Sequence, residues 1–152
     1  MGVCIFTSWS TLVTARGWLI LGSLLAGLAV ALGALGAHGL ETRLKRPGMS
    51  VEELERGDKK LHNFEVGVRY QMYHALALLA LGILMSRSAG SPSGMFHAAG
   101  FAFLLGIVLF SGMLYGWVFT ESKLLVMLVP IGGVSFIVGW VLLAVALWRA
   151  PA

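Results

Sequence analysis

The chain contains four long stretches without a charged residue, and this feature restricts its fold more than any other. The stretches cover residues 17–40, 70–86, 88–120 and 124–148. An α-helix crosses the hydrocarbon core of a bilayer with about 20 mostly apolar residues, and about 17 are enough for a short span. Only 12% of all residues are charged, whereas soluble domains carry about 25%. We therefore predict an integral membrane protein with four spanning helices.

The predicted architecture is all-α, with one transmembrane domain over residues 1–152. The spans are predicted at residues 18–38, 66–86, 98–119 and 126–148. Because short connections place consecutive helices side by side and antiparallel, the spans should form an up-down-up-down four-helix bundle. The loop at 41–65 is charged and should hold a short amphipathic helix. Its start at Ser50–Glu53 fits a capping box, after a turn at Pro47-Gly48. This helix lies along the membrane surface or forms a solvated arm, and the pattern fits both.

Small residues spaced four apart indicate where helices approach each other in lipid. The first span has two such rows, and each later row joins two residues: Ser23, Gly27 and Ala31; Ala29, Gly33 and Ala37; Ala102 and Gly106; Gly112 and Gly116; Ser135 and Gly139. We expect Gly33 and Gly36 to serve packing and Gly39 to end the first helix. Pro130 either breaks the fourth span or stands at its first position, and we prefer the second interpretation.

Polar residues are few and converge on the half of the bundle next to the first loop. They form a candidate ligand-binding pocket lined by His38, Tyr70, Gln71, His74, Ser111 and Tyr115. Polar groups inside a membrane usually face a bundle interior or a wet cavity. The alternative is that these groups bond to one another and to helix ends, with the tyrosines as interfacial anchors. We expect His62 and His97, which lie in flanking segments, to be solvated.

Several chemical functions are disfavoured by the residues present. No nucleophile–base pair and no set of metal ligands can be assembled, so we predict no catalytic residue, no enzyme activity and no cofactor. A metal or haem held by His38 and His74 is a minor alternative, because the spacing of the two histidines is not that of metal ligands. The single Cys4 excludes an internal disulfide. No basic stripe with interleaved aromatics suggests nucleic acid.

Four ordered motifs resemble a known family of small membrane proteins. They read ALGALGAHGLE (31–41), FEVGVRYQMYHALALLALG (64–82), LFSGMLY (109–115) and VPIGGVSFIVGW (129–140). They are similar to domain of unknown function 423, which includes eukaryotic proteins similar to transmembrane protein 256. The resemblance implies four spans in a bacterial inner membrane and supplies no activity. Its motif residues would be Gly36, His38, Gly39, Gly67, Tyr70, Gln71, His74, Ser111, Gly112, Tyr115, Pro130, Gly132, Gly133 and Trp140. Val129 departs from the threonine that often precedes the proline.

The preferred functional prediction is a protein that acts through protein–protein interaction. It would self-associate, or serve as a small subunit or assembly aid of a membrane complex, with the lipid bilayer as its surroundings. The alternative is a binder or carrier of a small molecule or proton that uses the pocket around His38 and His74. Eight of the 11 lysines and arginines lie on the side of the first and third loops. The positive-inside rule then predicts a multi-pass protein of the bacterial plasma membrane with both termini outside.

Overall fold

Four long helices make up the structure, a computed structural model that describes residues 14–87 and 94–149. They are α1 (Ala15–Leu44), α2 (Val51–Arg87), α3 (Gly94–Thr120) and α4 (Lys123–Trp148), each long and apolar enough to cross a membrane. No strand occurs within those two ranges. The predicted all-α, four-span class is confirmed. Cys4 and most of the predicted second loop lie outside the described residues.

The first connection is tight, and the predicted capping box is confirmed. Gly48 has a φ of 88°, a backbone conformation that favours glycine. The Ser50 amide donates to the Glu53 carboxylate at 2.8 Å, and the Glu53 amide donates to the Ser50 hydroxyl at 3.3 Å. The helix that starts here is continuous with the second span, so the first-loop helix is the first part of α2.

A charged pair ties the end of α1 to this part of α2. The Lys45 ammonium lies 2.8 Å from the Asp58 carboxylate. The hydrogen bond to Asp58 raises the pKa of Lys45, which therefore stays charged at neutral pH.

α1 packs on α2 through a face that includes Ala29 and the predicted packing glycines Gly33 and Gly36, but not the other predicted row of small residues. Its buried residues include Trp18, Gly22, Ala29 and Gly36. A Cβ on Gly22 would lie 2.9 Å from the Ala75 carbonyl oxygen, so the two backbones nearly touch there. The expected row of Ser23, Gly27 and Ala31 is exposed instead. That prediction was wrong because the spacing of small residues gives a stripe but not the direction in which it faces.

α3 and α4 interlock through two reciprocal ring-into-glycine contacts. The Phe136 ring of α4 covers Gly106 of α3, and the Phe103 ring of α3 covers Gly139 of α4. All four residues are buried. Gly106 and Gly139 therefore serve packing, as their spacing predicted, because each glycine leaves room for a ring from the facing helix.

Two predictions of helix ends were wrong. Gly39 does not end α1, because it lies within a wide π-helical turn, Leu35–Leu40, and the helix continues to Leu44. Pro130 does not begin the fourth span, because α4 starts at Lys123 and contains Pro130 in its interior. The helix is nevertheless unbroken there. A proline inside a helix only removes one hydrogen bond and crowds the preceding turn, which neighbouring helices can compensate.

The turn between α3 and α4 is fixed to α2 by an ion pair. Glu121 has a φ of 54°, which is uncommon for a residue with a side chain. Its carboxylate lies 2.6 Å from the Lys60 ammonium. The hydrogen bond that Lys60 donates to this carboxylate lowers the pKa of Glu121. The pair marks the end of the bundle that lies next to the first loop.

Candidate functional site

His74 is the centre of a polar cluster that also contains Tyr70, Gln71, Ser111 and Tyr115. Both nitrogens of its ring form hydrogen bonds. Its imidazole stacks on the Phe136 ring with centroids 3.4 Å apart and an interplanar angle of 8°. Nδ1 lies 2.8 Å from the Tyr70 carbonyl oxygen, and Nε2 lies 3.3 Å from the Trp140 indole nitrogen. Because a carbonyl only accepts and an indole N–H only donates, Nδ1 carries the hydrogen and Nε2 accepts. The geometry therefore fits a neutral imidazole that joins α2 to α4.

Gln71 joins three helices with one side chain. Its amide nitrogen donates to the Leu25 carbonyl of α1 at 2.9 Å. Its amide oxygen accepts from the Tyr115 hydroxyl of α3 at 3.0 Å. The side chain is 2% exposed, so an unpaired amide here would be costly. Sequence reasoning placed Gln71 and Tyr115 in one cluster, and the structure brings them together.

Ser111 lies in the second π-helical turn, Ile107–Gly112 of α3, and is fully buried. Its hydroxyl has no hydrogen-bond partner within the part of the chain that the structure describes. A buried, unpaired hydroxyl costs about 1–3 kcal/mol. The Ser111 hydroxyl therefore lowers the free energy of unfolding of the protein.

Removing the Ser111 hydroxyl should stabilise the protein. We expect Ser111→Ala to raise the free energy of unfolding by about 1 kcal/mol, because the unpaired group is lost at little change in volume. Denaturation in mixed micelles measures this change. Ser23→Ala is the control, since the exposed Ser23 hydroxyl already donates to the Leu19 carbonyl at 2.9 Å. If Ser111→Ala destabilised the protein as much as Ser23→Ala or more, the Ser111 hydroxyl would not be an unpaired group.

Tyr70 and His38 are placed differently from the rest of the predicted pocket. The Tyr70 ring is 40% exposed and borders the cluster, with its centroid 4.5 Å from that of Phe110. The His38 side chain is exposed on α1. Two residues before it, Gly36 faces Phe64 of α2, so His38 points to the opposite side of its helix. The structure therefore brings five of the six predicted residues to one region and leaves out His38.

The depth of His74 also differs from the expectation that polar groups stay in one half of the bundle. His74 follows Lys60 by 14 residues and precedes Arg87 by 13, which is about 20 Å of helix in each direction. It faces Phe136, which is near the middle of α4. His74 is therefore near the midpoint of the bundle, where a polar group needs partners from the protein.

The aromatic partners of two histidines were missed at the sequence level. Trp140 and Phe136 were not linked to His74, because an aromatic residue in an apolar span carries no signal of direction. His97 was expected to be solvated and is instead half-buried. The Trp18 indole nitrogen lies 3.3 Å from His97 Nδ1, and Trp18 is only 1% exposed. Each of the two histidines thus accepts an indole hydrogen bond from another helix.

Comparison with known proteins places the chain in a family. A family model described as "Protein of unknown function (DUF423)" matches residues 32–133. The chain is 40% identical over 132 residues to a UPF0382 membrane protein of Staphylococcus aureus, covering 87% of this chain and 95% of that protein. It is 41% identical over 129 residues to the UPF0382 membrane protein YwdK of Bacillus subtilis, covering 85% and 94%. The chain belongs to the DUF423 family. Neither relative's name states an enzymatic activity, and no solved structure matches the sequence significantly.

Within this DUF423 protein, motif glycines provide the close approaches that build the cluster. The Tyr115 ring lies over Gly67, where a Cβ would come within 2.8 Å of the ring. Gly132 lies against the backbone of the second π-helical turn at Leu109 and Phe110. These contacts set the positions of Tyr115 and Ser111 relative to α2 and α4.

A second candidate region of this DUF423 protein lies outside the cluster, on the surface that α1 and α2 share. We call it the charged groove. It encloses about 260 Å³ and is lined by Gly33, Gly36 and Ala37 of α1 and by Phe64, Glu65, Val68 and Arg69 of α2. Glu65 and Arg69 are both exposed. Neither forms an ion pair with any residue in the described ranges.

The described residues contain no group of three or more His, Cys, Asp or Glu side chains able to hold a metal ion. The polar cluster offers instead hydrogen bonds and ring stacking between helices. Its chemistry suits positioning of the four spans, whereas the charged groove presents groups that have no partner within the described chain.

Proposed function

We propose that this protein acts through protein–protein contact inside the bilayer, and that the charged groove binds a second copy of the chain. The observation that carries the proposal is the exposed pair Glu65 and Arg69 beside a groove of small residues. The wider role would be that of a self-associating membrane protein or of a small subunit or assembly aid of a membrane complex.

The depth of the two charges supports a protein partner. Arg69 lies five residues before His74, which is about 8 Å along the helix from the midpoint of the bundle. The cost of a charged residue in a spanning helix reaches about 2.5–3.5 kcal/mol at the centre on insertion scales and falls toward the ends. Such residues usually face a partner rather than lipid. A groove with Gly33 and Ala37 in its wall also lets another helix approach closely.

The groove is complementary to itself, which favours a second copy over another partner. It carries one acid and one base a single helical turn apart. A two-fold axis along the membrane normal brings the same surface of two copies together. Arginine side chains in membranes extend toward the nearer surface, and for Arg69 that direction leads to the depth of Glu65 on the second copy. Two reciprocal ion pairs result.

The location follows the distribution of charge. Relatives of this chain are named as membrane proteins of bacteria. We propose the plasma membrane, with the first and third loops inside and both termini outside, because most of the lysines and arginines lie at those loops.

Charge reversal in the groove tests the proposal. We expect Arg69→Glu or Glu65→Arg to weaken self-association about tenfold, because each loses two reciprocal pairs and places like charges together. The double variant Glu65→Arg with Arg69→Glu restores complementarity and should recover most of the affinity. Energy transfer between copies labelled at the single Cys4 measures association in vesicles over a dilution series of protein in lipid.

Enlarging an exposed alanine inside or outside the groove gives a second test with a matched control. Ala37→Leu fills the groove and should weaken association, whereas Ala31→Leu, exposed elsewhere on α1, should not. Tryptophan fluorescence during unfolding checks that every variant folds. Monomeric wild-type protein, a double variant as weak as the singles, or equal effects at Ala37 and Ala31 would each overturn the proposal. So would capture of a different protein through this groove by a chain that stays monomeric.

A further inference from the structure

A second crevice opens on the other side of α1, at the loop end of the bundle. We infer that it holds an acyl chain of an anionic phospholipid whose phosphate is bound by Arg43. This inference is independent of the charged groove, since the two regions share only Phe64.

The lining of the crevice fits a hydrocarbon chain. It encloses about 160 Å³ and is lined by Leu35, Gly39, Leu40, Arg43, Phe64 and Phe119. Arg43 is the charged member of the lining, and the other walls are apolar or glycine. A cavity of about 150 Å³ with aliphatic and aromatic walls binds a molecule of about six carbons. The crevice therefore has room for a segment of one acyl chain.

The crevice runs in the direction that a lipid would take. α1 is antiparallel to α2, so that Gly36 meets Phe64 and Leu44 meets Gly57. Arg43 therefore lies close to the level of the Lys60–Glu121 pair at the end of the bundle. Leu35 is eight residues earlier, about 12 Å deeper in the bundle. The charged end of the crevice is at headgroup level and its apolar end is at acyl-chain level.

Charge at the mouth of the crevice favours an anion. Arg43 also borders an adjoining cavity of about 140 Å³, which Arg56 and Lys60 line with Glu53. Lys60 is already paired with Glu121 at 2.6 Å, and Arg56 lies 3.9 Å from Glu52. Glu53 accepts a hydrogen bond from the Ser50 amide. Among the residues that the structure describes, Arg43 forms no ion pair.

The combination of apolar walls and an arginine without an ion pair in the described chain distinguishes a lipid from a free anion as the occupant. Inorganic phosphate would use Arg43 but gain nothing from the apolar walls. An acyl chain with a zwitterionic head would use the walls but offer less net charge to the arginine. A guanidinium binds a phosphate through paired N–H donors. The occupant that uses both parts is an anionic phospholipid.

Native mass spectrometry of the full chain in mild detergent tests this inference. The probes are phosphatidylglycerol, phosphatidylcholine with the same acyl chains, and inorganic phosphate. We expect one phosphatidylglycerol per chain, bound about tenfold tighter than phosphatidylcholine. Arg43→Gln should reduce phosphatidylglycerol binding about tenfold. Arg46→Gln is the matched control, because Arg46 is exposed in the same segment but lines neither cavity.

A second variant tests the hydrocarbon part without removing charge. Gly39→Leu places a side chain in the crevice and should abolish retention of the lipid while the unfolding transition is kept. Equal binding of the two lipids, equal losses for Arg43→Gln and Arg46→Gln, or unchanged binding by Gly39→Leu would each overturn the inference. Displacement of the lipid by inorganic phosphate alone would overturn it as well. None of these outcomes depends on whether two copies associate.

Discussion

Gly132→Ala should lower the free energy of unfolding by about 2 kcal/mol, although alanine is the better helix former by about 1 kcal/mol. A Cβ on Gly132 would meet the Phe110 amide nitrogen and would lie 2.7 Å from the Leu109 carbonyl carbon. Both are backbone atoms of the second π-helical turn, so no side chain can rotate to make room. Overpacking of this kind costs about 3 kcal/mol at the upper end of its usual range.

The neighbouring glycine provides the control for this prediction. Gly133→Ala adds the same methyl group to the same helix, but its Cβ would lie 3.9 Å from the Phe110 ring, an ordinary contact. We expect this variant to be neutral or up to about 1 kcal/mol more stable. Unfolding in mixed micelles followed by circular dichroism measures both. Equal effects of the two substitutions would contradict the close approach of α4 to the π-helical turn.

The spans could be predicted from the sequence because hydropathy is a local property. A run without charges, such as residues 88–120, predicts a membrane helix without knowledge of any contact. The direction in which each helix faces could not be predicted in the same way. Lipid and the bundle interior are both apolar, so a row such as Ser23, Gly27 and Ala31 fits either. The structure exposes that row and buries Trp18 and Gly22 instead.

The candidate site was predictable in part for a related reason. Gln71 and His74 share a face of α2, and buried polar groups need partners, so a cluster was expected around them. Their partners on other helices depend on helix rotation, which only the packed structure gives. His38 was included because it precedes the loop that leads to α2, but nearness along a loop does not fix where a side chain points. Trp140 was missed as a partner because an aromatic residue within an apolar span gives no signal of the direction in which it faces.

The charged groove shows a different limit of sequence reasoning. Glu65 and Arg69 have the spacing of an intrahelical ion pair, and this spacing gave no reason to expect a partner. The structure instead leaves both exposed beside small residues of α1, without an ion pair in the described part of the chain. The proposed function therefore rests on where these two residues lie in the packed structure and not on their spacing along the sequence.

His74→Ala should be the second strongly destabilising substitution, with a loss of about 2–4 kcal/mol. The variant removes a ring that is 5% exposed and stacked on Phe136, and it leaves a cavity near the middle of the bundle. It also leaves the Trp140 indole without its acceptor. Tyr73→Ala is the matched control on the same helix, because the Tyr73 ring is 57% exposed. Its removal should cost well under about 1 kcal/mol, as expected for a surface substitution.

His74→Phe separates the two contributions of the imidazole. A phenyl ring keeps the stack on Phe136 but accepts no hydrogen bond from Trp140, so the loss should fall to about 1–2 kcal/mol. Unfolding in mixed micelles measures the free energies of unfolding of His74→Ala, His74→Phe and Tyr73→Ala under one condition. If His74→Phe were as unstable as His74→Ala, hydrogen bonding would dominate. If His74→Ala cost no more than Tyr73→Ala, the stacked and doubly bonded imidazole would not hold α2 to α4, and His74 would again be a candidate for ligand or proton binding.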